Sequence, residues 1–352
     1  MSDFTDQPKP LRSEDALDIE QLSAFIKTQV SGLVGAPVLA QFSGGASNLT
    51  YQLSFENQVF IVRCPPRGTK AKGAHDMQRE YNIQLALQPF YGYVPRMIAL
   101  CTDASVLGHD FYVMEKVSGI IPRANLPKGL NLSPEDTRML CTNVLDKMIE
   151  LHKIDVTGTS LQQFGKGNGY AQRQIEGWIG RYEKVKTWNV SKANSVKAWL
   201  RAHTPATSRN SFIHNDFRFD NVVLDVNQPL KIVGILDWEM ATIGDPLMDL
   251  GNTLAYWVQT DDDFVMQKFR RQPTNMKGML TRKEVIAYYC KAMNVNVYDF
   301  KFYEVYGLFR LAVIVQQIYY RYHHGQTKNP SFRHLYFMAN YLIWRCGRVI
   351  GK

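Results

Sequence analysis

The stretch FIHNDFRFDNVVLD, from Phe212 to Asp225, sets an apolar run ending at Ile213 against His214, Asp216, Arg218, Asp220 and Asn221, then returns to Val222-Val223-Leu224. Asp225-Val226-Asn227-Gln228-Pro229 is a turn cluster, and KIVGILDWE reads as a returning strand. An antiparallel hairpin folded about Pro229 puts Asn221 and Asp237 opposite each other at its open end. Asp216 lies in the loop that feeds this hairpin. An amide oxygen beside a carboxylate suits a hard cation such as Mg²⁺. A further carboxylate can orient a hydroxyl. Together these are the parts that phosphoryl transfer uses. Taken singly, Asp216, Asn221 and Asp237 could each be turn caps; it is their spacing about one hairpin that points to chemistry.

Working outward, the N-terminal third is rich in strand patterns. A helix is expected over Ser13 to Val34, ending near a glycine. Strands follow at Val38 to Phe42, Thr50 to Phe55 and Val59 to Arg63, then a helix at Asp76 to Leu87, and strands at Val94 to Leu100 and Phe111 to Val117. Beyond Gly119 the pattern turns helical. Ser133-Pro134 marks a helix start, and helices are expected to about His152, over Arg173 to Lys186 and over Lys192 to His203. From Asp245 onward the sequence is helical almost throughout. The reading is α+β in two parts, residues 1–117 and 118–352.

The 352 residues are 45% hydrophobic and 21% charged, with a formal net charge of +9. That is an ordinary globular composition. Basic density is confined to the neighbourhoods of Arg67 to Lys72 and Arg270. No RNP-type or helix-turn-helix motif accompanies it, which argues against nucleic acid. Five cysteines, Cys64, Cys101, Cys141, Cys290 and Cys346, form no C-x-x-C pair, and suit a reducing cytoplasm. No apolar run reaches the ~18 residues of a membrane span, and no basic-then-apolar leader is seen, so a cytoplasmic protein away from membranes is expected. A G-x-G-x-G run at Gly165 to Gly169 follows no strand and does not read as a dinucleotide site.

HNDFRFDN resembles the H-G-D-x-x-x-x-N catalytic loop of the aminoglycoside phosphotransferase family. ILDWEMATIGDPLMDLG resembles its metal-binding I-D-W-E-x-x-x-x-G-D-P-x-x-D-L segment. GYAQRQIEGW (Gly169 to Trp178) and YEVYGLFRLAVIVQQIYYRY (Tyr303 to Tyr322) resemble one branch more closely. That branch is the kinase-like domain fused to some acyl-CoA dehydrogenases, with its free-standing bacterial relatives. The likeness covers about residues 20 to 350.

The resemblance implies a bilobal protein-kinase-like fold with a small β-rich N-lobe and a larger helical C-lobe. It implies ATP, with GTP an alternative, and Mg²⁺ as cofactors, and a small-molecule hydroxyl as acceptor. Asp216 would be the catalytic base, with His214 bracing the loop and Arg218 beside it. Asn221 and Asp237 would hold the metal. Glu239 would lie near the metal or start a helix, and Asp245 and Asp249 would cap and anchor the next helix. Gly44, Gly45, Ser47 and Asn48 would cover the phosphates. Arg63 stands where the family has an ATP-binding lysine, and Glu80 is its expected partner. Arginine keeps the charge but offers a planar fork. Glu115 and Val117, in the linker, would meet the adenine through their main chain. The absence of D-F-G and A-P-E segments points to a small acceptor. Tyr256, Trp257, Tyr303 and Arg310 are candidate walls of its site. Arg310 calls for an anionic partner: Asp249, Glu304 or a substrate carboxylate or phosphate. The positive balance favours an anionic or neutral acceptor, such as a hydroxy acid or hydroxyacyl-CoA, over an aminoglycoside polycation. A nucleotide-binding regulatory protein without catalysis is the competing class. The sequence leaves the oligomeric state open, a homodimer included.

Overall fold

The computed structural model describes residues 4–42, 48–66, 75–206, 209–296 and 299–351. The chain forms two compact units. One comprises Met1–Pro122, Pro127–Leu130 and Asp220–Met240; the other comprises Arg123–Leu126, Asn131–Phe219 and Ala241–Lys352.

In the first unit, helix α1 (Ile19–Gln29) is capped by Asp18, whose carboxylate accepts the Gln21 N–H. Five antiparallel strands follow: β1 (Val38–Gln41), β2 (Leu49–Ser54), β3 (Val59–Cys64), β4 (Met97–Cys101) and β5 (Phe111–Glu115). Their spatial order is β1-β2-β3-β5-β4. Helix α2 (Met77–Leu87) lies between β3 and β4 in sequence, and the short helix α3 (Ala104–Leu107) lies between β4 and β5. Side chains alternate across a sheet, so Tyr51, Leu53, Phe60, Val62, Phe111 and Val113 point one way and pack on Leu22 and Ile26 of α1. Tyr112 points the other way, onto Met77 of α2.

The sheet unit also takes in a hairpin from far downstream. Strands β7 (Val222–Leu224) and β8 (Ile232–Ile235) pair antiparallel. A division at residue 118 places this segment with the helices. It groups with the sheet unit, where the Ile235 N–H donates to the Tyr93 carbonyl (2.8 Å) and where Ile120 and Leu224 exchange both backbone hydrogen bonds at 2.8 Å. Gly119 permits that approach: a Cβ there would sit 2.3 Å from the Leu224 carbonyl oxygen.

The second unit is helical. It contains α4 (Pro134–His152), α5 (Tyr170–Lys184), α6 (Asn194–Ala202), α7 (Pro246–Ala255), α8 (Phe264–Phe269), α9 (Arg282–Ala292), α10 (Lys301–His323) and α11 (Leu335–Ile350). Ser133 caps α4 and Thr281 closes a capping box with Glu284 on α9. Strand β6 (Ser211–Ile213) pairs with β9 (Thr242–Gly244), a strand the sequence pattern did not disclose. Helices α7 and α10 meet at two glycines. A Cβ on Gly307 would lie 2.1 Å from the Gly251 carbonyl oxygen, so only glycine allows this crossing. No helix among the described residues is long and apolar enough to cross a membrane.

Candidate active site

Arg63 is the hub of the sheet unit's polar cluster. Register places it between Thr50 on β2 and Tyr112 on β5, so the three share one face. Helical spacing brings Met77, Glu80 and Gln84 of α2 onto that face. The Arg63 Nη1 donates to Thr50 Oγ1 (3.0 Å). Its Nη2 donates to Glu80 Oε1 (3.1 Å) and to Asp237 Oδ1 (3.2 Å). Glu80 also accepts the Tyr112 hydroxyl (2.7 Å) and the Asn48 amide (3.1 Å). Burial disfavours charge on Arg63, but Glu80, Tyr112, Asp237 and Glu239 outweigh it and hold the guanidinium above its ordinary pKa. Burial and the Glu80 carboxylate push Tyr112 well above the usual tyrosine range, so it serves as a neutral donor.

The hairpin corrects the expected pairing. Asp225 folds its carboxylate onto the N–H groups of Asn227 and Gln228, which centres the turn on Gln228 instead of Pro229. A separate register shift between Val223 and Leu224 moves the outer pairs by one residue, to Val223 opposite Gly234 and Val222 opposite Ile235. Asn221 therefore faces Leu236, whose N–H donates to its carbonyl (2.8 Å), and Asp237 is the next residue along. Asp237 has φ 68°, a left-handed conformation that costs a non-glycine residue about 1 kcal/mol and is concentrated at functional sites. Asn221 and Asp237 thus present an amide and a carboxylate at the mouth of one hairpin, oxygen donors of the type Mg²⁺ takes alongside phosphate. Arg63 Nε, buried and without a hydrogen-bond partner among the described residues, is a donor that a phosphate oxygen could satisfy. The residues therefore fit a metal–nucleotide complex.

The Asn48 amide donates to Glu80 and to Glu239 Oε2 (3.2 Å), so it ties these two carboxylates together. Gly44, Gly45 and Ser47 lie outside the described residues. The Glu115 N–H donates to the Arg96 carbonyl (2.8 Å), and the Val117 side chain packs on Gly234 of the hairpin.

In the helical unit, the loop after β6 carries His214, Asn215, Asp216 and Arg218. Asp249, fully buried on α7, accepts the His214 and Asn215 N–H groups (both 2.9 Å) and the His152 Nε2 (3.1 Å). Asp245 caps α7 through the Leu247 N–H (2.8 Å); Asp249 does not cap but anchors the loop. The His214 Nδ1 accepts the Asp216 N–H (3.2 Å), which assigns the ring proton to Nε2. Arg218 pairs with Asp216 at 3.2 Å and stacks over Tyr256 at 4.6 Å. Of the proposed acceptor walls, Tyr256 is thus tied to this loop. Trp257 is core: 1% exposed, with its indole N–H on the Leu280 carbonyl (2.9 Å). Tyr303 packs against Phe300 and Phe302. Arg310 pairs with neither Asp249 nor Glu304. Its Nη2 donates to the Asn215 carbonyl (2.9 Å), and its guanidinium lies over Trp178 at 5.2 Å.

Sequence reading missed Tyr112 as a Glu80 partner, and the Tyr289–His152–Asp249 chain behind the loop, where Tyr289 OH and His152 Nδ1 are 2.6 Å apart. The alternation that puts Arg63 and Tyr112 on one face could have found the first. No local spacing betrays the second.

Comparison with known proteins bears on this arrangement. Residues 38–282 match the phosphotransferase enzyme family, APH. Mouse acyl-CoA dehydrogenase family member 10 is 31% identical over 326 residues, covering 92% of this chain and 30% of the mouse protein. Human acyl-CoA dehydrogenase family member 11 is 30% identical, covering 89% of this chain and 40% of the human protein. The chain thus spans less than half the length of these relatives. A crystal structure from Ralstonia eutropha JMP134, of a protein provisionally named an aminoglycoside phosphotransferase, has a TM-score of 0.79 at 28% identity and covers 95% of this chain and 98% of that one. Choline kinase from Cryptosporidium parvum, at 14% identity and TM-score 0.63, covers 94% of this chain and 96% of its own, and shares the fold. The chain has a kinase-like fold and belongs to the APH phosphotransferase enzyme family.

Proposed function

We propose that the protein is a Mg²⁺-dependent kinase that moves the γ-phosphoryl group of ATP, or GTP, to a hydroxyl of a small acceptor. The observation that carries this reading is the Arg63 node, in which one guanidinium joins β3, α2 and the mouth of the hairpin through Glu80 and Asp237. Asn221 and Asp237 would hold the divalent ion, which when bound would neutralise phosphate charge. Arg63 offers a phosphate oxygen its Nε–H. The linker meets the base through the Glu115 carbonyl and the Val117 main chain, since the Glu115 N–H is already engaged. Asp216 orients the acceptor hydroxyl and takes its proton, and Arg218 steadies that carboxylate.

A hydroxy acid or hydroxyacyl-CoA is the acceptor class. The +9 charge disfavours a polycation, and relatives at 30 and 31% identity are named as acyl-CoA dehydrogenases. The test is a screen of hydroxy acids and hydroxyacyl-CoA esters with MgATP, read by ADP release. Acceptor-dependent ADP supports the reading. Tight MgATP binding with no transfer to any acceptor would instead assign a regulatory nucleotide-binding protein.

A further inference from the structure

Asn215 stands where the resembled catalytic loop carries glycine, and it adopts φ 64°, the left-handed region that glycine enters without cost. The residue is 6% exposed and is held on several sides. Its Oδ1 accepts the Tyr170 hydroxyl (3.1 Å) from α5 and the Asn252 amide (3.2 Å) from α7. Its N–H donates to Asp249. Its carbonyl accepts Arg310 from α10.

Arg310 is only 4% exposed. Its hydrogen-bond partner is this neutral carbonyl, with the Trp178 ring beneath it. Burying a guanidinium without a carboxylate is costly. A hydrophobic residue would pack the same space with less penalty, so a purely structural role explains the charge poorly. What Arg310 fixes is the peptide unit joining Asn215 to Asp216: the carbonyl it holds belongs to that unit, whose N–H is in turn held by His214.

We propose that Arg310, Tyr170 and Asn252 form a clamp on Asn215 that sets the direction of the Asp216 carboxylate, making Arg310 a positioning residue and not an anchor for an acceptor anion. The inference rests on Asp216 being the group that orients the acceptor. In a loop whose left-handed residue is glycine, the backbone alone allows the bend. In this chain the asparagine side chain adds contacts that hold it there.

The test uses the full chain with Arg310→Met, Tyr170→Phe and Asn215→Gly. For Arg310→Met, kcat for ATP-dependent phosphorylation should fall on the order of 10- to 100-fold, as a displacement of about 1 Å at a reacting group does, while KM for MgATP stays within about twofold. Tyr170→Phe, which loses one hydroxyl and covers the case in which Arg310→Met fails to fold, should move kcat the same way by a smaller factor. Adding Asn215→Gly to Tyr170→Phe should cost less than the two single effects multiplied. Amide exchange read by mass spectrometry supplies a readout free of turnover. The peptide covering residues 212–219 should exchange faster in Arg310→Met, with the sheet unit unchanged. Unchanged exchange in that peptide overturns the clamp. So does unchanged kcat, or a rise in acceptor KM at constant kcat, which would assign Arg310 to an acceptor anion. A wild-type protein that phosphorylates nothing would defeat the kinase reading but leave the clamp to be judged by exchange alone.

Discussion

Replacing Arg63 with methionine removes the cation at the centre of the sheet unit while keeping most of its packing volume. The Arg63 side chain is 13% exposed and that of Glu80 3%, so the variant strands a carboxylate in a nearly dry site. Breaking a buried pair on one side costs about 3–5 kcal/mol. Two facts trim the upper end. Glu80 keeps the Tyr112 hydroxyl and the Asn48 amide. The Asp237 arm ends on a side chain about one-third exposed, where a pair is worth less than ~1 kcal/mol after solvent screening. A loss of about 3 kcal/mol remains. Thermal unfolding of wild type, Arg63→Met, Glu80→Gln and the double variant would measure it. Glu80→Gln removes the charge but can still accept from Tyr112. The double variant should therefore recover roughly 2 kcal/mol relative to the sum of the single losses. Strict additivity, or an Arg63→Met transition at the wild-type temperature, would show that the node does not hold the unit together.

Other perturbations follow from the same structure. Gly307→Ala drives a methyl group into the Gly251 carbonyl at 2.1 Å and should destabilise by about 3 kcal/mol or prevent folding, read by the midpoint of unfolding; a wild-type midpoint contradicts the α7–α10 crossing. Burial pushes the Asp245 carboxyl up to about 6, against the opposing pull of the Leu247 and Met248 N–H groups and His152. A raised carboxyl pKa gives the folded state the tighter hold on the proton. The stability it contributes is complete below the unfolded pKa and is lost as pH rises through about 6, some 3 kcal/mol in all. Asp245→Asn, which still caps α7, should therefore gain on wild type between pH 4 and pH 8 in paired melting curves, and an equal difference at both pH values would sink that account.

Much of this was legible because it is local. The β2–β3 turn, the α2 face and the hairpin strands follow from period-2 and period-3.6 patterns, and Arg63 with Glu80 followed from the family likeness. The one-residue displacement of Asp237 was not legible, since it is the net of a turn recentred by the Asp225 carboxylate and a register shift between Val223 and Leu224. Strand β9 escaped because Thr242–Gly244 is three residues long and pairs with a partner far upstream. The Arg310 contacts within the fold were not legible for a related reason. A lone cation in an apolar helix implies a partner, but the sequence gives no means of seeing that a carbonyl and an indole supply it. Asp249 looked like a helix-capping residue because it sits in the first turn of α7, yet its carboxylate turns to the loop after β6.

In the proposed reaction Asp216 serves phosphoryl transfer to a small hydroxyl. The most direct test of this role pairs wild type with Asp216→Asn on an acceptor found by the ADP-release screen, following the phosphorylated product by phosphorus NMR. Asp216→Asn should lose kcat on the order of 10²- to 10⁴-fold with MgATP affinity nearly intact. An asparagine variant that makes the phosphorylated product at the wild-type rate would contradict it.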